Sequence, residues 1–318
     1  MLAEEDLMGN SNESFIKSES VCEDETSEKK AVSRKQFLGR LYEIPGAAIS
    51  FCNDVDDEPC PPGEFEFING YRYSPNVKVP SPESMFGCEG CHISGCHLKK
   101  PQSCSCLDDL DDKHRKFAYN KDRKVIIPPR HLIIECNRYC SCGPDCATRV
   151  VQRGRLIPLE IFKTPKKGWA VRTQRIIQRG MFIDVYRGEV IDHEEAERRG
   201  SIDHQGSVYL FDLDFFSKGE ETQEFGSAYT IDARHCGNVT RFFNHSCDPN
   251  IAIWPVVGHE LARTERLYEL AFFAIHDIKI GEELCFNYHG EGNQKKEGQR
   301  GVICHCGSEK CTGEFFIL

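Results

Sequence analysis

Twelve of the eighteen cysteines fall into two groups whose spacing suits metal binding. The first runs Cys88, Cys91, Cys96, Cys104, Cys106 and then Cys136, Cys140, Cys142, Cys146. Tetrahedral zinc takes four sulfur ligands, so nine thiolates do not divide into whole separate sites. They satisfy three zinc ions if three sulfurs each bridge two metals. Two four-cysteine sites with a spare thiol are the alternative, and a set of disulfides ranks below both, because secreted disulfide scaffolds are short chains with a signal peptide. With either metal arrangement the role is structural, since closed four-sulfur coordination leaves no position for a substrate. Metal binding then supplies folding free energy to a segment too polar to build a core.

The second group, Cys304, Cys306 and Cys311, is one ligand short of a tetrahedron. Cys247 and His305 compete for the vacancy. Cys247 is preferred, because residues adjacent in sequence rarely ligate one zinc easily. That choice ties the C-terminal tail across the polar run Arg241 to His245 and closes a lid over it. Cys22, Cys52, Cys60, Cys236 and Cys285 have no partner spacing and read as ordinary thiols.

The elements that must position these groups follow from composition and texture. At 318 residues, 39% hydrophobic and 28% charged, the chain has length for one sizeable core and a smaller module. It has no apolar run of membrane-spanning length and no apolar stretch preceded by basic residues at its start, so neither a transmembrane span nor a secretory signal is expected. A net charge of -10 argues against a general nucleic-acid binder and suits a basic partner, or simply solubility. No C-x2-C…H-x3-H arrangement points to a zinc-based DNA reader.

Residues 1–48 are a polar, acidic N-terminal segment, read as partly disordered up to about residue 35. Residues 49–150 hold the first cysteine group, beginning with a Pro-, Asp- and aromatic-rich stretch of the kind that wraps a surface. Over 151–290 short apolar runs (Leu159–Phe162, Met181–Tyr186, Tyr209–Leu213, Tyr229–Ile231 and Leu270–Ile275) alternate with turn residues, as in a strand-rich fold. One helix is predicted from His193 to Arg199. Residues 291–318 form a polar loop and the last cysteine group.

Taken in order, the nine-cysteine block, Arg241-Phe242-Phe243-Asn244-His245-Ser246-Cys247, Gly281-Glu282-Glu283-Leu284 leading to Tyr288, and the terminal cysteine triplet resemble a SET-domain methyltransferase with pre-SET and post-SET modules. The likeness is greatest to the fungal heterochromatin enzymes that methylate lysine 9 of histone H3. It implies a mostly β fold: a pseudoknot of small sheets, a three-zinc pre-SET module and a one-zinc post-SET tail. It further implies S-adenosylmethionine as cofactor, zinc, a histone H3 tail peptide as substrate, recruiting proteins on chromatin, and a nuclear location, without specific DNA binding or membrane attachment.

The resemblance also carries roles. Tyr288 is similar to the catalytic tyrosine and Tyr186 to a second tyrosine at the lysine channel. Phe286 stands where phenylalanine leaves room for two or three methyl groups. Lys167, Gly168, Trp169, Tyr209, Arg241, Asn244, His245 and Phe316 correspond to cofactor contacts. Asp212 resembles an acid that receives an arginine beside the target lysine. Departures from the family pattern are the Cys88-x2-Cys91 spacing, Ala170 after Trp169, Asn287 before Tyr288, and Glu314 in the tail; they motivate a rival reading as a non-catalytic histone-binding scaffold. The stretch Gly290 to Gly301, with Lys295 and Lys296, reads either as a solvated linker or as a segment that places a lysine in the channel in cis.

The chemistry is compatible with these residue types. A lysine ammonium must lose its proton before its nitrogen can attack a methyl group. A narrow apolar channel favours the neutral amine by desolvation, and an adjacent sulfonium pushes the same way. Phenol hydroxyls hydrogen-bond an amine without holding it protonated as a carboxylate would. Aromatic walls also favour the cationic methylated product.

Overall fold

The computed structural model describes residues 29–61, 65–79, 87–88, 96, 104–107, 116–202, 206–215, 229–258, 267–289 and 300–317. Cys91 and the Lys295–Lys296 loop lie outside these residues. The fold is mostly strand, and each apolar run named above contributes to one. Leu159–Thr164 pairs antiparallel with Gly168–Thr173 through a tight turn. Gly168 enables that turn with a φ of 69°, a left-handed conformation that costs a Cβ-bearing residue energy. Along Leu159–Thr164, Leu159 and Ile161 are buried while Glu160 and Phe162 are only partly covered, the period-two signature of a strand lying on a core.

The Pro- and aromatic-rich stretch does wrap a surface, and it does so by adding strands. Ile49–Cys52 lies parallel to Leu159–Thr164, Glu66–Phe67 pairs with Cys236–Gly237, and Arg72–Tyr73 pairs with Glu189–Asp192. The last pair belongs to a four-stranded sheet that continues through Tyr229–Asp232 to Leu210–Asp212 at its edge. A second four-stranded sheet orders Ile133–Ile134, Ile251–Val257, Glu269–Ala274 and Phe182–Val185. The expected helix occupies His193–Ile202. A further helix spans 29–42, inside the acidic segment, and buries Phe37 and Leu41 in the main core.

Two short strands organise the centre. Asn244–His245 runs parallel to Cys285–Phe286, pairing Asn244 with Cys285 and His245 with Phe286. The Asn250 side chain locks this arrangement: its Nδ2 donates to the Glu283 carbonyl (2.8 Å) and its Oδ1 accepts from the Cys285 N–H (3.0 Å).

The cysteine-rich module joins the strand-rich half through Ile133–Ile134, which pairs parallel with Val256 and Val257, and through Glu135. Buried Glu135 accepts hydrogen bonds from the Tyr119 hydroxyl (2.7 Å), the N–H groups of Val150 (3.0 Å) and Val151 (2.8 Å), and the Gln152 amide (2.9 Å). Glu135→Leu would leave these buried donors unsatisfied. It is expected to destabilise the zinc-loaded protein by about 3 kcal/mol in denaturant unfolding; a change below about 1 kcal/mol would show that the node is not a structural tie.

Candidate active site and metal centres

The last zinc group assembles as ligand counting requires. The sulfurs of Cys247, Cys304, Cys306 and Cys311 all lie within 4.8 Å of one another. Four sulfurs about 2.3 Å from one zinc stand about 3.8 Å apart, and those of Cys247 and Cys304 are separated by 3.8 Å. Burial pushes the Cys306 thiol up, but the N–H groups of Cys247 and Ser308 donate to it and bring it down to about 6. The thiolate, the form zinc binds, is therefore accessible at neutral pH. His305 lines the neighbouring cleft instead.

In the other module Cys96, Cys136, Cys142 and Cys146 also gather within 4.8 Å, and the sulfurs of Cys88 and Cys104 stand 4.0 Å apart. Seven buried cysteines (Cys88, Cys96, Cys104, Cys136, Cys140, Cys142 and Cys146) form a core of their own with Leu107 and Ile134. Cys106 lies in the turn Ser105–Leu107 beside them. Thr148 donates to the Cys136 sulfur (3.0 Å) and the buried Arg149 guanidinium to that of Cys142 (3.4 Å). Donors of this kind stabilise thiolates, so the residues fit zinc rather than disulfides.

A cleft of about 680 Å³ opens between the central strands and the C-terminal tail. Lys166, Lys167, Asn244, His245 and Tyr288 line one side; Arg300–Ile303, Cys304, His305 and Phe315 line the other. The tail is a hairpin of Arg300–Ile303 and Glu314–Ile317, so the second zinc group holds one wall of the cleft in place.

His245 is the hinge between zinc site and cleft. Burial, reinforced by His289, brings its imidazole down to about 4, so the ring is neutral at physiological pH. Its Nδ1 accepts the Tyr288 N–H (3.2 Å), which leaves the proton on Nε2, 3.5 Å from the Cys247 sulfur. Phe315 stacks on the ring with centroids 4.7 Å apart.

Behind the cleft lies a cluster of aromatic rings. Phe286 packs against Tyr288 (centroids 4.7 Å), Phe272 (5.0 Å) and Phe211 (6.4 Å), and Tyr186 lies 5.7 Å from Phe211. The Tyr288 hydroxyl donates to the Phe243 carbonyl (2.9 Å) and the Tyr186 hydroxyl to the Tyr209 carbonyl (2.8 Å). Both phenol hydrogens are thus spent on main-chain oxygens, and the lone pairs remain free to accept from an amine. Burial raises both phenols far above their ordinary range, so neither ionises near neutrality.

Several expected cofactor contacts sit one layer back. The Trp169 ring stacks on Phe51 (4.9 Å), while its carbonyl accepts from the Asn244 amide (3.3 Å). The Arg241 guanidinium packs over the rings of Phe65 (4.3 Å) and Tyr209 (4.4 Å) and donates to the Ala233 carbonyl (3.0 Å). The aromatic on the cleft wall is Phe315, whereas Phe316 is buried and packs against His289. Neighbouring residues of a strand face opposite sides, so a shift of one position exchanges these roles. Asp212 stands exposed on the edge strand and accepts from the Thr230 hydroxyl (2.7 Å). Motif reading did not single out Val208, Arg300, Val302, Ile303 or Phe315; their proximity arises from the tail's fold-back, which no local pattern announces.

A SET domain family model matches residues 168–289 and a Pre-SET motif model residues 42–149. Fold and site thus define a SET-domain protein with a cysteine-rich pre-SET module. The Neurospora SET domain protein DIM-5, a histone lysine methyltransferase, superposes with a TM-score of 0.68 at 36% identity, over 82% of this chain and 100% of that one. The H3 lysine-9 specific histone-lysine N-methyltransferase of Schizosaccharomyces pombe is 46% identical over 294 residues, 89% of this chain and 58% of that protein's length. KRYPTONITE, solved with mCHH DNA, H3(1-15) peptide and SAH, matches with a TM-score of 0.67 at 28% identity, over 84% of this chain and 51% of that one. The chain belongs to the SET-domain histone-lysine methyltransferase family.

Cys247→Ser removes one of the four clustered sulfurs that a zinc ion would need, and with it the anchor of the cleft wall. Zinc content measured on the purified protein is expected to fall by one ion, with S-adenosylhomocysteine affinity falling more than about tenfold. Unchanged affinity after loss of that zinc would show that the tail does not shape the cleft.

Proposed function

We propose that this chain is an S-adenosylmethionine-dependent protein lysine N-methyltransferase that di- and trimethylates lysine 9 of histone H3. The observation that carries the reading is the pairing of the cleft with the aromatic cluster behind it, where two phenols present only lone pairs. The H3 lysine-9 specificity of the S. pombe relative and the H3 peptide bound by KRYPTONITE support the substrate. Lys167, Asn244, His245 and Phe315 are suited to hold the cofactor, with Gly168, Trp169, Tyr209 and Arg241 shaping the site from behind and Phe316 backing Phe315. S-adenosylmethionine supplies an electrophilic methyl group on a sulfonium.

The chain's own residues do the remaining work. Desolvation among Tyr186, Phe211, Phe286 and Tyr288 favours release of the lysine proton, so no side-chain base is needed. The two phenol oxygens accept the amine hydrogens and aim the nitrogen lone pair, and alignment of this kind provides much of the barrier reduction. The rings then stabilise the methylated cation. Asp212, on the edge strand that a peptide can extend, is placed to receive a basic side chain of the substrate. A nuclear location on chromatin and recruitment by other chromatin proteins follow from the same reading.

Intact-mass analysis of an H3 tail peptide incubated with the zinc-loaded protein and S-adenosylmethionine is expected to show gains of two and three methyl units, abolished when lysine 9 is replaced by arginine. A peptide that stays unmodified would refute the activity. Phe286→Tyr adds a hydroxyl to the cluster and is expected to shift the product to monomethyl-lysine; continued trimethylation would remove Phe286 from this role. Tyr288→Phe is expected to lower kcat on the order of 10²-fold, with little change in thermal midpoint.

The pH dependence of kcat has a determined sign. With both phenols raised by burial, the rate is expected to climb as the bound lysine loses its proton and to show no falling limb below about pH 10. A falling limb in that range would mean that a phenol ionises during turnover.

A further inference from the structure

Glu283 touches two cleft-lining residues without lining the cleft itself. One carboxylate oxygen accepts from the Asn244 amide (3.0 Å), the other from the Lys167 ammonium (2.5 Å). Its backbone is fixed from both sides: Glu283 bridges to Arg172, the Leu284 N–H donates to the Val171 carbonyl (2.8 Å), and the Asn250 amide caps the Glu283 carbonyl. The carboxylate is therefore carried by a rigid element, and its side chain is mostly shielded, with 21% of its surface exposed.

The consequence for Asn244 is a matter of counting. A primary amide has two N–H donors and one carbonyl acceptor. Glu283 takes one N–H and the Trp169 carbonyl the other, so the amide cannot flip and only its Oδ1 is left for the cleft. Lys167 has three N–H donors, of which Glu283 takes one, and the rest remain for the same cleft. The cleft therefore presents an acceptor and a cation side by side, held by one carboxylate behind them. That pair matches an α-amino acid zwitterion: the ammonium to Asn244 Oδ1, the carboxylate to Lys167.

We propose that Glu283 is a positioning residue for the amino-acid end of the methyl donor, acting through Asn244 and Lys167. The inference rests on the reading of the cleft as the S-adenosylmethionine site and adds to it a specificity device. Glu283→Gln removes the charge that holds Lys167. It also places a donor group where only an acceptor serves both partners.

Calorimetric titration of the zinc-loaded full chain with two ligands tests this. S-adenosylhomocysteine carries the amino-acid group; 5′-methylthioadenosine carries the nucleoside and thioether without it. Glu283→Gln is expected to weaken the first about tenfold and leave the second unchanged. Glu283→Asp keeps the charge but is too short to span both partners, so it should show the same selectivity with a smaller loss; it carries the test if the Gln variant does not fold. Equal weakening of both ligands would mark a merely structural role and overturn the proposal, as would no weakening of either. If the unsubstituted protein bound neither ligand, the methyl-donor reading would fall and this inference with it.

Discussion

The parallel pairing of Asn244–His245 with Cys285–Phe286 is the constraint on which the site depends. Parallel neighbours cannot be joined by a tight turn, and here the intervening chain makes the long antiparallel pair Ile251–Val257 and Glu269–Ala274 before returning. What the return brings is chemical. Asn244, His245 and Tyr288 come to line the cleft, while Phe286 comes to stand behind it. Asn250, five residues beyond His245 in the chain, is hydrogen-bonded to Glu283 and Cys285 and so ties the first segment to the second; a slip of one residue would turn every side chain of the pair to the wrong face.

Metal holds the parts that hydrophobic burial does not. Among the described residues, the cluster around the pre-SET sulfurs buries only Leu107 and Ile134 besides its seven cysteines, with Phe117 and Leu132 packed against it. The tail is shorter still, and its hairpin touches the rest of the protein at Cys247, His245 and His289. In both places zinc binding free energy stands in for a core. At the second site it also has a functional consequence, since the ligand Cys247 adjoins the His245 ring, and that ring receives the Tyr288 N–H.

Much of this was legible in the residues. Apolar alternation located the strands, because a surface strand must present one face to the core. Ligand arithmetic showed that Cys304, Cys306 and Cys311 lack a fourth partner, and the adjacency of His305 to two of them pointed to Cys247 instead. The helix over 29–42 was hidden, since its sparse apolar set (Phe37, Leu38, Leu41) sits in a stretch whose overall polarity argues for disorder. Side-chain direction was hidden too. A motif places Trp169 and Arg241 near the cofactor but cannot say that their rings and guanidinium turn toward Phe51, Phe65 and Tyr209. Phe315 and Phe316 differ by one position in a strand whose register is set only when the tail folds back. Glu283 was visible as part of a motif, yet its two partners come from distant segments and no local pattern links them.

The central claim is that the target lysine reacts between the phenols of Tyr186 and Tyr288. A crystal structure of the zinc-loaded protein with S-adenosylhomocysteine and an H3 tail peptide tests it most directly. The account predicts the lysine nitrogen within hydrogen-bond reach, about 3 Å, of both phenol oxygens, with the thioether sulfur on the cleft side. A peptide lysine lying outside the ring of Tyr186, Phe211, Phe286 and Tyr288, with the cofactor analogue in the cleft, would contradict it.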